Sequence, residues 1–413
     1  MDDLQPLAFQ CGSAWRGALG AGSLAICAAL AACGGGGGEA GAAGPDAEPP
    51  SVADASFASG AITGFGSIIV NGVHYDDSVA RIVDAAGRAG SSDDLKLGMV
   101  VEIEASGVTT DSAGVRRASA TTIRHGSEIS GPIEAIDVAA GSVTVLGQTA
   151  LLTPVTVFDD DLRGGITALK VGNLIEVHGF HSTDGRYTVT RIDDEDADDD
   201  NHELRGPIAA LDSAKRTLRI GQAQIDYSGL ANPPPTLAVG QFIGVELRTR
   251  KDANGRWVAA ALDGVATPTA GADDGVRAEL EGYVTAFTNA TRFSVDGVEV
   301  DASGASNLST RIDLGVRVEV EGRLNGGVLV ASAVEVENDD DNDAGFQLDG
   351  SVTALDPVAK TFVLRGVRID FSGSVRFEDG TAATLRDGID VEVKGVLSGD
   401  ASTLTASEIE FDD

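Results

Sequence analysis

Positive charge is in short supply in this chain. Its 30 Lys and Arg face 64 Asp and Glu, a formal net charge of −34. Nucleic-acid binding needs cationic side chains to displace counterions, and adsorption to anionic lipid head groups needs them too, so both are excluded as expectations. Cysteine is scarcer: there are three, and Cys11 and Cys27 lie in a segment with leader character, leaving Cys33 without an internal partner and ruling out a disulfide framework. Aromatics are few, at 5%. Beyond the leader no long apolar pattern recurs at helical spacing, so helix content should be low. Neither a Gly-x-Ser-x-Gly elbow nor a Walker-type phosphate loop is present.

What the chain has in quantity is glycine, 53 residues, set among short alternating strands. Arg292 to Asp301 reads RFSVDGVEVD: alternating apolar residues flank Asp296-Gly297, a two-residue turn that needs positive φ at both positions. Leu314 to Gly322 then alternates Val316, Val318 and Val320 with Arg317, Glu319 and Glu321, a strand with one buried face and one wetted face. This pair recurs. A Leu/Val/Asp-Gly step leads the second piece at Gly98, Gly172, Gly240, Gly315 and Gly388. A Gly-x-Ile/Val step opens the last four units at Gly131, Gly206, Gly282 and Gly350. An apolar strand ending in Ile123, Ile192, Leu262, Val334 or Ile409 closes each unit, with Ala118, Val189, Ala259, Ala331 or Ala406 inside it. Three markers in fixed order at intervals of roughly 68 to 75 residues define five tandem units, each long enough to close its own small core.

The expected organisation follows. Residues 1–32 read as a lipoprotein signal peptide and 33–58 as a Gly/Ala/Pro-rich tether. Five β modules follow at 59–127, 128–203, 204–279, 280–347 and 348–413. The first is a divergent cap without the opening strand pair of the others. Gly17 to Ala32 is apolar but too short and too rich in Gly and Ala for a stable membrane span. Five or six strands per unit, arranged as hairpins, predict an all-β chain of small antiparallel barrels of OB type, since closure removes edge strands; a small sandwich is the alternative.

Leu30-Ala31-Ala32-Cys33 resembles the bacterial lipobox at all four positions, which implies cleavage before Cys33, lipidation of Cys33 and a membrane anchor. One departure is an n-region holding Asp2 and Asp3 with Arg16 as its single basic residue. The residue after Cys33 is not Asp, which by the usual sorting pattern implies the outer membrane. The order of the three markers is similar to a bacterial domain-of-unknown-function family numbered 5666, repeated in exported proteins and lipoproteins. That resemblance spans most of residues 59–413, departs at Gly244 where other units have Glu, and implies fold and export but no catalytic residue.

Candidate chemistry is sparse. Two acidic runs, Asp193 to Asp200 and Asn338 to Asp343, read as hinges between units two and three and between four and five. Asp196, Asp198, Asp200, Asp339, Asp341 and Asp343 are the weak candidate ligands for Ca²⁺, although the second run lacks the glycine and distal Glu of an EF-hand. His178 and His181 lie three apart, on a strand end and its following loop, a spacing that puts them on opposite faces if the strand continues, and a zinc site would need a third ligand that the sequence does not place. The expectation for these and for His74, His125 and His202 is surface histidine. Glu102, Glu176, Glu319 and Glu392 recur at one strand position, expected to be its wetted face. Trp257 reads as core or inter-module packing. The function expected from these features is a non-enzymatic, tethered envelope protein. It would act as spacer or interaction module, without a resident cofactor and with an envelope protein or glycan as partner. A Ca²⁺-responsive protein and an exported hydrolase are the alternatives.

Overall fold

The structure is a computed structural model and describes residues 55–413 apart from 163, 183–184, 196–200, 265, 307, 338–344, 399–402 and 412–413. The leader with Cys33 and its lipobox, most of the tether and the six acidic candidate ligands lie outside the described residues. What is described is all-β, with three short 3₁₀ turns (Ser92–Asp94, Asp160–Leu162, Gly165–Thr167) and no α-helix. Among the described residues no helix is long and apolar enough to cross a membrane.

Each unit closes as a five-stranded barrel with one topology. In the second unit Ile129–Asp137, Ser142–Val145 and Gln148–Phe158 form a meander. Leu174–Ser182 and Arg186–Asp194 follow. The last strand lies parallel to the third and antiparallel to the fourth, and the fourth pairs back onto the first. The spatial order 1-2-3-5-4-1 is that of an OB barrel. The third, fourth and fifth units repeat it. The first unit does so as well.

That first unit corrects the sequence reading. It does not lack an opening strand: Ala55–Phe65 is one, beginning inside the segment read as tether. Gly60-Ala61-Ile62 occupies the place of Gly131-Pro132-Ile133. Nearly every residue of this strand is buried, on both faces, because neighbours press from both sides. A Cβ on Gly60 would sit 2.1 Å from Asn71 Oδ1, which explains the run of small residues.

The marker glycines have structural reasons. Gly98, Gly172, Gly240, Gly315 and Gly388 all adopt positive φ, between 78° and 92°, a conformation that costs glycine nothing. Each donates its N–H to the opening-strand residue Ile62, Ile133, Ile208, Val284 or Val352 at 2.8–2.9 Å, and each of those donates back to the residue after the glycine. The first and second markers therefore form one closure contact. A second recurrent feature is a β-bulge where the fourth strand meets the fifth, between Glu104/Ala105, His178/Gly179, Glu246/Leu247, Glu321/Gly322 and Lys394/Gly395. At three of them the inner residue is glycine, and a Cβ would lie 2.2–2.3 Å from the carbonyl oxygen of Thr188, Val330 or Thr405. The Asp296-Gly297 turn has the expected positive φ at both residues, 43° and 80°.

The barrels are not an extended string. Described residues from Pro49 onward fall in one compact unit. First strands pair across barrels. Ala55–Phe65 runs parallel to Arg277–Asn289 of barrel four and to Phe346–Ser351 of barrel five, while Ile129–Asp137 pairs antiparallel with Asn201–Asp212 of barrel three. Barrels one and five share a continuous apolar core, as do barrels two and three. Phe57 of barrel one is buried in the core of barrel four. Asp193 and Asp194, read as part of a hinge, belong to the last strand of barrel two.

Gly322→Ala should lower the stability of barrel four by about 1–3 kcal/mol, because the added methyl meets backbone rather than a side chain able to move. Urea unfolding of the full chain checks this. Gly229→Ala, whose Cβ meets nothing within 4 Å, should leave the curve unchanged or slightly stabilised.

Candidate functional site

A cavity of about 680 Å³ opens where barrels one, two and three meet the Asp296-Gly297 turn of barrel four. Arg205, on the first strand of barrel three, lines it. Its guanidinium lies 3.5 Å from Glu128 and 3.9 Å from Glu102, and donates to the carbonyl of Ala266 at 2.9 Å. The carbonyl of Arg205 accepts from the Tyr187 hydroxyl. Glu102 also faces Arg124 across the strand pair, at 3.5 Å.

Carboxylates outnumber cations here, and burial decides their state. Burial raises Glu102 to about 7, although Arg205 and Arg124 pull it down. Asp296 is 6% exposed because Phe242 and Thr267 pack over its turn. Burial, with Glu128 and Glu281 beside it, raises its carboxyl well above the ordinary range, and its Oδ1 has no hydrogen-bond partner. A turn aspartate normally faces water, so this burial was not readable from the hairpin pattern. Gly244, the departure from the repeated Glu, lines the same cavity. A Cβ there would lie 3.1 Å from Asp263, so a Glu would bring two carboxylates together and fill the space.

The histidines are not on the surface as expected. His178, His181 and His202 are buried, and His74 and His125 are half-buried. His181 sits edge-on to Tyr187 and Phe242, and burial lowers it to about 4. His202 packs edge-on against Trp257, which is core as expected, with Lys251 Nζ 4.5 Å from its ring centre. His178 and His181 do not share a site. His178 faces Glu176 and Asp193, with Nε2 3.9 Å and 3.5 Å from their carboxylates.

The recurrent glutamates are half-buried rather than wetted. Glu392 lies 3.1 Å from Lys394. Glu319 is grouped with Glu279 and Glu321, where burial and the adjacent Glu279 raise its carboxyl far above the ordinary range. Arg116 of barrel one reaches into that group, 2.5 Å from Glu279 and 3.3 Å from Glu321.

Comparison with known proteins bears on the repeat. Residues 130–193, 281–335 and 349–410 match the domain of unknown function DUF5666. The matched segments lie in barrels two, four and five. Barrels one and three fall outside the matched segments but share the strand order. None of the curated proteins matches the chain. A similar solved structure, "drosophila Unr CSD456", is 16% identical over 42% of this chain and 79% of that chain, with a TM-score of 0.16.

The raised Glu102 carboxyl gives a pH dependence with a definite sign. Between its ordinary value of 4.5 and about 7 the folded chain holds a proton that the unfolded chain releases. Its stabilising contribution is complete below 4.5 and lost as pH rises through about 7. Glu102→Gln should therefore show a smaller fall in Tm than the parent between roughly pH 5 and pH 8, read by thermal melts across that range.

Proposed function

We propose that this chain is a non-enzymatic binding protein of the bacterial cell envelope, anchored through a lipidated Cys33, whose five DUF5666-type barrels act as one rigid block rather than as a spacer. The observation that carries this reading is the pairing of first strands across barrels together with the cores shared between them. A spacer gains reach from modules that separate, and these barrels would expose apolar core if they did. The charged cavity around Arg205 offers the block a recessed place for a ligand, and an envelope protein or glycan is the expected class of partner. The strong negative charge keeps copies of the block apart and disfavours nucleic acid.

A second reading, a response to Ca²⁺, draws support from two groups of three carboxylates, Glu279 with Glu319 and Glu321, and Glu378 with Glu408 and Glu410. Millimolar Ca²⁺ should raise Tm if it holds; an unchanged Tm removes it.

Two measurements test the main reading. Solution scattering from the mature chain should give a radius of gyration near the value for one compact body of this size, about 21 Å, plus a small contribution from the tether. A string of separate barrels would give roughly twice that. Gly64→Val, which would put a side chain 2.3 Å from the Gln347 carbonyl at the pairing of barrels one and five, should enlarge the particle. Cys33→Ser should abolish incorporation of labelled fatty acid and release the protein from the membrane fraction; unchanged fractionation would remove the anchor.

A further inference from the structure

We propose that Glu176, His178 and Asp193 form a binding site for one divalent transition-metal ion, with zinc the best fit. The site stands independently of the binding role argued above. Glu176 and His178 are two residues apart on the fourth strand of barrel two, which places them on one face. Asp193 lies directly opposite Glu176 on the antiparallel fifth strand. The three ligand atoms all lie within 4.8 Å of one another.

His178 is set up as a ligand. Its side chain is 1% exposed, and Nδ1 lies 3.1 Å from the carbonyl of Gly126. A carbonyl can only accept, so Nδ1 carries a proton, and Nε2 is the nitrogen that faces the two carboxylates and is placed to bind an ion. Nε2 has no hydrogen-bond partner. Its separations, 3.5 Å from Asp193 Oδ2 and 3.9 Å from Glu176 Oε2, are long for an imidazolium–carboxylate pair, which closes to about 2.7–2.9 Å. They fit ligands placed around an ion: bonds of about 2.1 Å in a tetrahedron put neighbouring ligand atoms roughly 3.4 Å apart.

The surroundings agree with that assignment. Arg191 donates through Nε to both Asp193 oxygens, at 2.9 Å and 2.7 Å, and lies 3.3 Å from Asp159, which fixes the Asp193 carboxylate in the way outer partners orient a metal ligand. Arg191 also donates to the carbonyl of Leu97 at 3.3 Å, so the site sits at the seam between barrels one and two. Metal ligation requires a neutral imidazole; in that state the carboxylates of Glu176, Asp193 and Asp159 exceed the Arg191 charge by two, which one dication balances. The Glu176 side chain is 37% exposed and leaves a way in for the ion and for a water as fourth ligand. One imidazole with two carboxylates suits Zn²⁺ or Co²⁺, whereas Ca²⁺ prefers oxygen alone.

The test is calorimetric titration of the chelator-treated, tag-free full chain with ZnCl₂. It is done in a background where Cys11, Cys27 and Cys33 are serine, so that thiolates cannot take the ion. Visible absorption with Co²⁺ reports coordination geometry in parallel. The expected result is one equivalent bound, with affinity at least about tenfold weaker in His178→Gln and in Asp193→Asn. Glu319→Gln and His74→Gln should bind as the parent does. Glu176→Gln guards against variants that misfold: its half-exposed side chain can be replaced without burying a lone charge, and it should keep the parent Tm without metal while losing the rise in Tm that zinc gives the parent. Zinc binding unchanged by His178→Gln would overturn the site. So would the absence of zinc binding in a folded parent chain.

Discussion

Each barrel depends on one reciprocal backbone contact. A glycine held at positive φ donates its N–H to the carbonyl of the Ile or Val in the opening strand's Gly-x-Ile/Val step, and that residue donates back one step further along. This contact joins the fourth strand to the first and turns an open meander into a closed barrel. Closure pairs strand edges that would otherwise seek partners in other molecules. The contact also dictates the period of the sequence, because nothing but glycine adopts that conformation without cost.

Closure within a barrel leaves the small apolar surface of each opening strand to be covered, and other barrels cover it. The opening strand of barrel one shows the consequence most fully. It pairs with two neighbours inside its own barrel and touches the first strands of barrels four and five. Small residues fill most of a strand approached from so many sides, Ala58, Ser59, Gly60, Ala61 and Gly64, while Phe57 enters the core of barrel four. A unit that looked like a divergent end cap is the hub of the block.

The sequence carried the closure plainly. Positive-φ glycines, alternating strands and hairpin turns are local requirements, and Asp296-Gly297 and Gly315 met them as read. Packing between barrels was not legible, because the residues responsible are small rather than strongly patterned. Gly60-Ala61-Ile62 escaped notice through its setting in a Gly- and Ala-rich stretch. The buried state of Asp296 depends on Phe242 of another barrel. His178 and His181, three apart, do not share a site: on a strand the spacing that shares a face is two, as between Glu176 and His178, and Asp193 joins that group from the facing strand. A Glu-x-His step in one strand opposite an acid in the next is a signal that can be sought, provided the pairing register is known.

The seams between barrels differ in kind, and the difference constrains what they are for. Apolar cores run unbroken between barrels one and five and between two and three, and such seams contribute stability by removing surface from water. The junctions around Arg205 and Arg116 instead hold Glu102, Asp296 and Glu319, acids that burial pushes toward the neutral form, with Glu279 paired to Arg116. Charged groups taken from water recover at most part of what their desolvation costs, and well-packed apolar residues in the same places would be expected to hold the barrels together at least as firmly. Adhesion alone therefore does not account for those side chains. Acids held at half-buried seams, in a chain already strongly negative, provide sites whose charge is completed by something from outside, whether a proton or a cation. The junctions, rather than the barrel interiors, are where this chain can respond to its surroundings.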